Sequence, residues 1–389
     1  MTRVIRVTVL AAIAGLVAPV WAVAPLSAAV SRVGVLAVPD PLPYAAPGTI
    51  ITSERLRAPA GVHLWRVLYH SRAVDGRDIA VSGYVAAPES ATPSRRVVVA
   101  LGHGTTGLAD SCAPSLTASG LVRMRDQQDL LRAGYVIAAT DYEGLGTPGE
   151  HAYLVGPSAG RGMLDAARAA RNLRAAHAGR RVVAVGHSQG GQAAWFAAHD
   201  ASTYAPELDL IGVVASAPLI DPLDFARSTT TPELVGYAVM MVRGYEAAYP
   251  GLDGAELLTP LAERESAIVD EQCANQVEIA FQQPYSEVFV RNPADDPQWQ
   301  ARFRQSTLPT SGVDAPVLVV KGADDALLPE PQTDQFVRAA CTAGTRIDYR
   351  VYPGDDHNKV FFDSRDDVDG WIAARVRGAP ARSTCSPPA

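Results

Sequence analysis

Short apolar runs recur along the chain, each closed by turn-forming residues and most separated by a stretch of helical periodicity. The runs at 64–70, 79–85, 97–101, 136–140, 182–185, 211–215, 317–320 and 347–352 have the length and β-branched character of strands. Helical spacing covers 162–176, 192–199, 332–340 and 366–376. Strands alternating with helices predict an α/β fold, with a mostly parallel sheet covered by helices on both faces. The first two strands, joined by Ala73-Val-Asp-Gly-Arg77, form an antiparallel start to that sheet. The Pro/Ala-rich segment 38–47 ahead of them reads as an extended arm.

One interval breaks the rhythm. From Leu219 to about Pro309 there is no clear strand, only loops and helical patterning. There Leu234, Tyr237, Ala238, Met241 and Tyr245 fall at helical spacing behind Thr231-Pro232-Glu233, a helix start. An insertion of this size in an alternating fold reads as a cap over the C-terminal edge of the sheet, where such folds place their sites. Its Met/Tyr stripe suits two duties, gluing the cap to the core and touching a ligand.

The first apolar run, residues 7–24, has another meaning. It follows Arg3 and Arg6 and precedes the small residues Ser27-Ala28-Ala29, the pattern of a secretory signal peptide cleaved after about residue 29. The alternative is a retained anchor, which the Ala/Gly-rich run and Pro19 disfavour. No other run approaches the ~18 residues that a membrane span requires. Cys112, Cys273, Cys341 and Cys385 suit an exported chain with two disulfides, and three pairings are open to them. No Cys/His spacing suits zinc, so neither metal nor cofactor is expected. Composition narrows the field a little further. The 389 residues can bury a large core, and 48% hydrophobic content excludes a disordered chain. A net charge of −7 with no basic run excludes nucleic acid as a partner.

Candidate chemistry centres on Gly186-His187-Ser188-Gln189-Gly190, which follows an apolar strand and opens a helix. In a G-x-S-x-G turn of this kind the serine hydroxyl is exposed at a strained strand-to-helix corner. The flanking glycines avoid clashes, and the helix N-terminus favours negative charge beside Ser188. The backbone N–H of Gln189 is then one oxyanion donor. Gly156-Pro157-Ser158-Ala159-Gly160 fits the same pattern but lacks the apolar strand, so Ser158 reads as a helix N-cap. After Ser188 the chain has two histidines. His199 lies three turns along the same helix and points away, which leaves His357, in a loop just past a strand, as the base. The acid belongs after the strand at 317–320, where Asp324 and Asp325 are adjacent; Asp325 is favoured and Asp324 is the alternative. Asp355 and Asp356 sit too close to His357 in sequence to orient it and read as turn and surface charge. Upstream, Gly102-His103-Gly104-Thr105-Thr106-Gly107 ends a strand where hydrolases place their second oxyanion N–H, from Thr105 or Thr106. His103 reads as structural, and Asp141 to Gly146 as a turn near the mouth.

With these residues placed, the chain resembles the secretory lipase family, the lipase A-type triacylglycerol lipases of fungi and actinobacteria. The resemblance runs from about Gly48 to the C-terminal cysteine. It rests on Gly102 to Gly107 with Cys112-Ala-Pro-Ser115, on Asp141-Tyr-Glu-Gly-Leu-Gly146, on Arg161 to Arg171, and on Gly186 to Gly190. It implies an α/β-hydrolase fold with a helical cap after the sixth core strand, and Ser188, Asp325 and His357 as a triad. It also implies the disulfides Cys112–Cys273 and Cys341–Cys385. Fungal members carry an acidic oxyanion residue where this chain has Thr105-Thr106.

The expected organisation is a signal peptide at 1–29, core segments at 30–219 and 310–389, and a cap at 220–309. The expected activity is that of a secreted serine hydrolase of carboxylic esters, a triacylglycerol lipase or long-chain esterase working at a lipid–water interface. Tyr237, Met240, Met241 and Tyr245 are the candidate acyl-chain contacts. A short-chain carboxylesterase, an acyltransferase, a serine peptidase and a non-catalytic binding protein are the rival readings, because a triad does not by itself specify the acyl group or its acceptor.

Overall fold

The computed structural model describes residues 37–90, 95–117 and 127–385, so the expected signal peptide lies outside the described residues. Nine strands are described: β1 (Ile50–Leu56), β2 (Val62–Arg72), β3 (Asp78–Pro88), β4 (Arg96–Gly102), β5 (Val136–Glu143), β6 (Ala178–His187), β7 (Asp209–Ser216), β8 (Val317–Gly322) and β9 (Ile347–Tyr352). They form one sheet in the order β1-β2-β3-β5-β4-β6-β7-β8-β9. The first three and the β3–β5 pair are antiparallel. From β5 through β9 every pairing is parallel.

The unbroken apolar runs have a simple cause. On β4, Val98 and Ala100 enter one hydrophobic cluster while Val97 and Val99 enter another, the period-two alternation of a strand buried on both faces. The Gly156–Asn172, Gln189–Tyr204 and Glu330–Thr342 helices cover the first face through Met163, Trp195 and Phe336. The Gln128–Arg132, Lys359–Asp363 and Arg365–Val376 helices cover the second through Leu131, Val360 and Trp371. All eight expected strands are present. The sequence pattern missed β1, whose Ser53, Glu54 and Arg55 are exposed, because a polar edge strand carries no hydrophobic signal.

The Gly156–Asn172 helix starts six residues before the expected position, across the second G-x-S-x-G. Its glycines permit close helix packing: a Cβ on Gly156 would lie 2.2 Å from the Phe196 ring, and one on Gly160 would lie 2.7 Å from the Ala197 nitrogen. Ser158 is therefore not an N-cap. It lies inside the first turn, behind Val155, and donates its hydroxyl proton to Glu143.

Between β7 and β8 the described chain is helical apart from isolated bridges, which join Pro250 to Leu252, Leu258 to Phe289, and Cys273 to Gly107 of the loop after β4. Three of its helices begin with proline behind an Asp221, Thr259 or Asp296 side chain that accepts a backbone N–H. The long helix expected behind Thr231 runs from Val235 to Ala248. The insertion has its own apolar cluster, which also takes in Leu108, Tyr153, Leu154 and Leu219 from the loops at the C-terminal end of the sheet. The Cys112–Cys273 disulfide ties it to the loop after β4, and Cys341–Cys385 ties the C-terminal segment to the Glu330–Thr342 helix. Both pairings are those implied by the resemblance.

Candidate active site

Ser188 occupies the corner between β6 and the Gln189–Tyr204 helix with φ 58° and ψ −118°, a left-handed conformation that a serine adopts only under constraint. The constraint is mutual packing. A Cβ on Gly186 would lie 1.9 Å from the Gly190 carbonyl oxygen, and one on Gly190 would lie 2.0 Å from that of Gly102. Only glycine at both positions lets β4, β6 and the helix converge under the serine. The Ser188 backbone N–H donates to the Ser216 carbonyl on β7 (2.9 Å), which pins the corner to the next strand.

His357 and Asp325 meet at the same edge of the sheet. The His357 Nδ1–H donates to Asp325 Oδ2 at 2.8 Å, leaving Nε2 as the nitrogen with a lone pair. The imidazole packs against the tilted ring of His187, the residue before Ser188, with ring centroids 4.8 Å apart. The other carboxylate oxygen of Asp325 accepts the backbone N–H groups of Leu327 (3.0 Å) and Leu328 (2.8 Å). Burial raises the carboxyl pKa, but the hydrogen bond and charge of His357, with the Lys321 ammonium and the Leu328 N–H, outweigh it and hold the group down to about 2. Asp324 is exposed, so of the two adjacent aspartates the structure brings Asp325 to the histidine.

Gln189 is the first residue of its helix, so its backbone N–H has no acceptor within the helix. Its side chain is held from behind. The His151 Nδ1–H donates to the Glu143 carbonyl (2.7 Å), which leaves Nε2 to accept the Gln189 amide at 3.1 Å. Burial disfavours the imidazolium and takes His151 from the ordinary 6.5 down to about 4. The unfolded chain protonates this side chain near pH 6.5 and the folded chain only near pH 4, so its stabilising contribution is complete above 6.5 and is lost between those values. About 3 kcal/mol is involved. A thermal-melting series from pH 7 to pH 4 is expected to show a loss of stability that flattens in His151→Gln; an equally steep loss in the variant would remove His151 as the cause.

The loop after β4 supplies the opposite wall. The Thr105 hydroxyl pairs with that of Tyr153 at 2.7 Å and lines a cleft with Ser188, Gln189, Leu219, Phe225 and Tyr237. The cleft holds about 240 Å³, its open mouth included. Thr106 does not line the cleft, and its carbonyl accepts the N–H of Ala274 in the insertion at 3.0 Å. Thr105 is thus the one of the pair at the cleft. His103 donates within its own loop or to the Asp141 carbonyl, consistent with a structural part.

A family model for secretory lipases matches residues 121–384. The chain belongs to the secretory lipase family. It is accordingly a carboxylic ester hydrolase. A secreted triacylglycerol lipase of Malassezia globosa is 24% identical over 88% of this chain and 79% of its own length. A probable inactive lipase of Mycobacterium tuberculosis is also 24% identical, over 87% of this chain and 80% of its own. The crystal structure of Candida antarctica lipase A aligns over 88% of this chain and 84% of its own with a TM-score of 0.76 and 18% identity, a likeness of fold. The fold of this secretory lipase is that of an α/β-hydrolase.

Several expected site residues are placed differently in this secretory lipase. Met240, Met241 and Tyr245 are fully buried inside the insertion, and the Tyr245 hydroxyl donates to the Leu154 carbonyl (3.2 Å). Of the four acyl-contact candidates only Tyr237 lines the cleft. Asp355 is buried rather than on the surface and binds Lys359, while Asp356 is exposed and caps the following turn. Asp141 is not at the mouth. It is fully buried and accepts from Ser82 and from the Ser115 backbone and hydroxyl, inside the Cys-Ala-Pro-Ser loop. Sequence reasoning passed over His151, Tyr153 and Lys321, none of which carries a local motif.

Proposed function

We propose that this secretory lipase hydrolyses long-chain carboxylic esters, triacylglycerols among them, through an acyl-enzyme on Ser188. His357 Nε2 takes the Ser188 proton as Oγ attacks the ester carbonyl, and Asp325 stabilises the imidazolium. The Gln189 N–H and the Thr105 backbone and hydroxyl donate to the developing oxyanion. His357 then returns the proton to the leaving alcohol, and a water activated by the same nitrogen releases the fatty acid. The observation that supports this reading best is the 2.8 Å bond from His357 to Asp325, made beside the strained Ser188 corner.

The helices between β7 and β8 act as a cap in this proposal. Only about 10 Å³ of the cleft has room for the centre of a water-sized sphere, far below the ~300–1,000 Å³ of typical ligand pockets, so a long acyl chain enters only if the cap shifts. The same narrowness favours a second reading, a short-chain esterase whose cap opens only slightly. Hydrolysis of nitrophenyl esters from acetate to palmitate separates the two. We expect rates sustained through the medium and long chains, whereas activity confined to acetate would sink the lipase reading. Two disulfides, the lead sequence at 1–29 and the relatives named as secreted support an extracellular setting, with the mature chain beginning near residue 30.

A further inference from the structure

Lysine is almost absent from this protein: two of its 34 basic residues are lysines and the others arginines. One of the two, Lys321, is fully buried at the end of β8. Its ammonium donates to Asp325 Oδ2 and to the Leu328 carbonyl. Asp325 Oδ2 is also the oxygen that accepts the His357 Nδ1–H. One carboxylate oxygen therefore serves two donors: an ammonium whose pKa burial lowers and the Asp325 charge raises, and an imidazole that is cationic only when the base holds a proton.

We propose that Lys321 is a positioning residue that holds the Asp325 carboxylate and, by sharing its charge, keeps His357 free of a proton into mildly acidic solution. The inference rests on the triad reading above. Asp325 cannot be fully available to an imidazolium while an ammonium is bound to the same oxygen, so protonating His357 leaves two cations against one anion in a buried site. The other charged and titratable groups around the cluster do not cancel this. Glu330, in the following helix, acts on Lys321 at longer range, Asp324 is exposed, and Asp355 is bound to Lys359. His187 packs against His357 at a tilt and bonds to Ser216. The base consequently stays competent at lower pH than an Asp–His pair alone would allow, at the expense of some imidazolium stabilisation in the transition state.

The test is the pH profile of kcat/KM for nitrophenyl butyrate in wild type, Lys321→Met, Lys321→Gln and Lys321→Arg, with thermal melting of each. In the two neutral variants the acid limb is expected to move up by about one pH unit, as removal of a nearby buried charge implies. In Lys321→Arg it is expected to stay where wild type has it. A purely structural lysine would lower the plateau and leave the limb in place, and that outcome overturns the proposal, as does a downward shift. Lys321→Gln keeps an N–H donor on a side chain one bond shorter and Lys321→Met an unbranched apolar one, so loss of folding in both would make Lys321 a folding residue and also overturn the proposal. Fluorophosphonate labelling of wild type separates the two layers. Absence of labelling would remove the triad reading and this one with it, whereas normal labelling with an unmoved limb would remove only the role of Lys321.

Discussion

Ser188→Ala is expected to abolish fluorophosphonate labelling and to lower kcat for any ester by roughly 10⁶-fold, the scale of losing a hydrolase nucleophile. The fold should survive, because Ser188 anchors the corner through its backbone N–H to Ser216 and through Gln192 N–H to its own carbonyl, and alanine keeps both. The left-handed φ of 58° strains alanine about as much as serine. Residual activity comes from the oxyanion donors and the cleft alone. Mass spectrometry of the labelled protein checks the assignment directly: the adduct should sit on the peptide carrying Ser188, and one on Ser158 would reverse it. The experiment matters because a probable inactive lipase lies among the relatives at the same 24% identity as a secreted triacylglycerol lipase.

Asp325→Asn is expected to cost about 10⁴-fold in kcat, with a measurable loss of stability beside it. Asparagine can still accept the Leu327 and Leu328 N–H groups through its oxygen. Its amide nitrogen then faces the His357 Nδ1–H and the Lys321 ammonium, three donors with no acceptor among them. To escape, His357 must move its proton to Nε2, which removes the lone pair that Ser188 needs. Lys321 is left as a buried ammonium without its counter-ion, and breaking such a pair from one side costs about 3–5 kcal/mol. Asp324→Asn is the paired control. Its side chain is exposed, so activity and melting should stay within the roughly ±0.5 kcal/mol of an ordinary surface change. Equal losses in the two variants, measured by kcat and by urea unfolding, would return the acid to an open question.

The two experiments touch residues that the sequence located with unequal sharpness. Ser188 was legible because strand, G-x-S-x-G and helix are consecutive, and each glycine answers a clash that any strand-to-helix corner of this shape must produce. His357 was legible by elimination along the chain. Asp325 was legible only to within one residue, since a single step around a turn redirects a side chain completely while leaving the local pattern unchanged. The cap helix was found from its period, yet three of its four proposed contacts point into the insertion. Helical spacing marks an apolar stripe and does not say which of two neighbours the stripe will meet.

Eight of the nine described strands, the α/β class, the helical insertion and the corner that presents Ser188 all follow from the sequence alone. Periodicity and turn chemistry are short-range properties, set by sterics and burial within a few residues. Tertiary structure alone decided that β1 completes the edge of the sheet, that Thr105 rather than Thr106 reaches the cleft, and that Tyr237 is the residue of the insertion beside it. It also supplied the His151 amide lock, formed between residues 38 apart, and the meeting of Asp325 with His357, 32 residues apart. These contacts depend on which surfaces meet once the sheet is packed. A buried polar group must find its partner wherever the fold happens to bring one, and no local pattern records where that is.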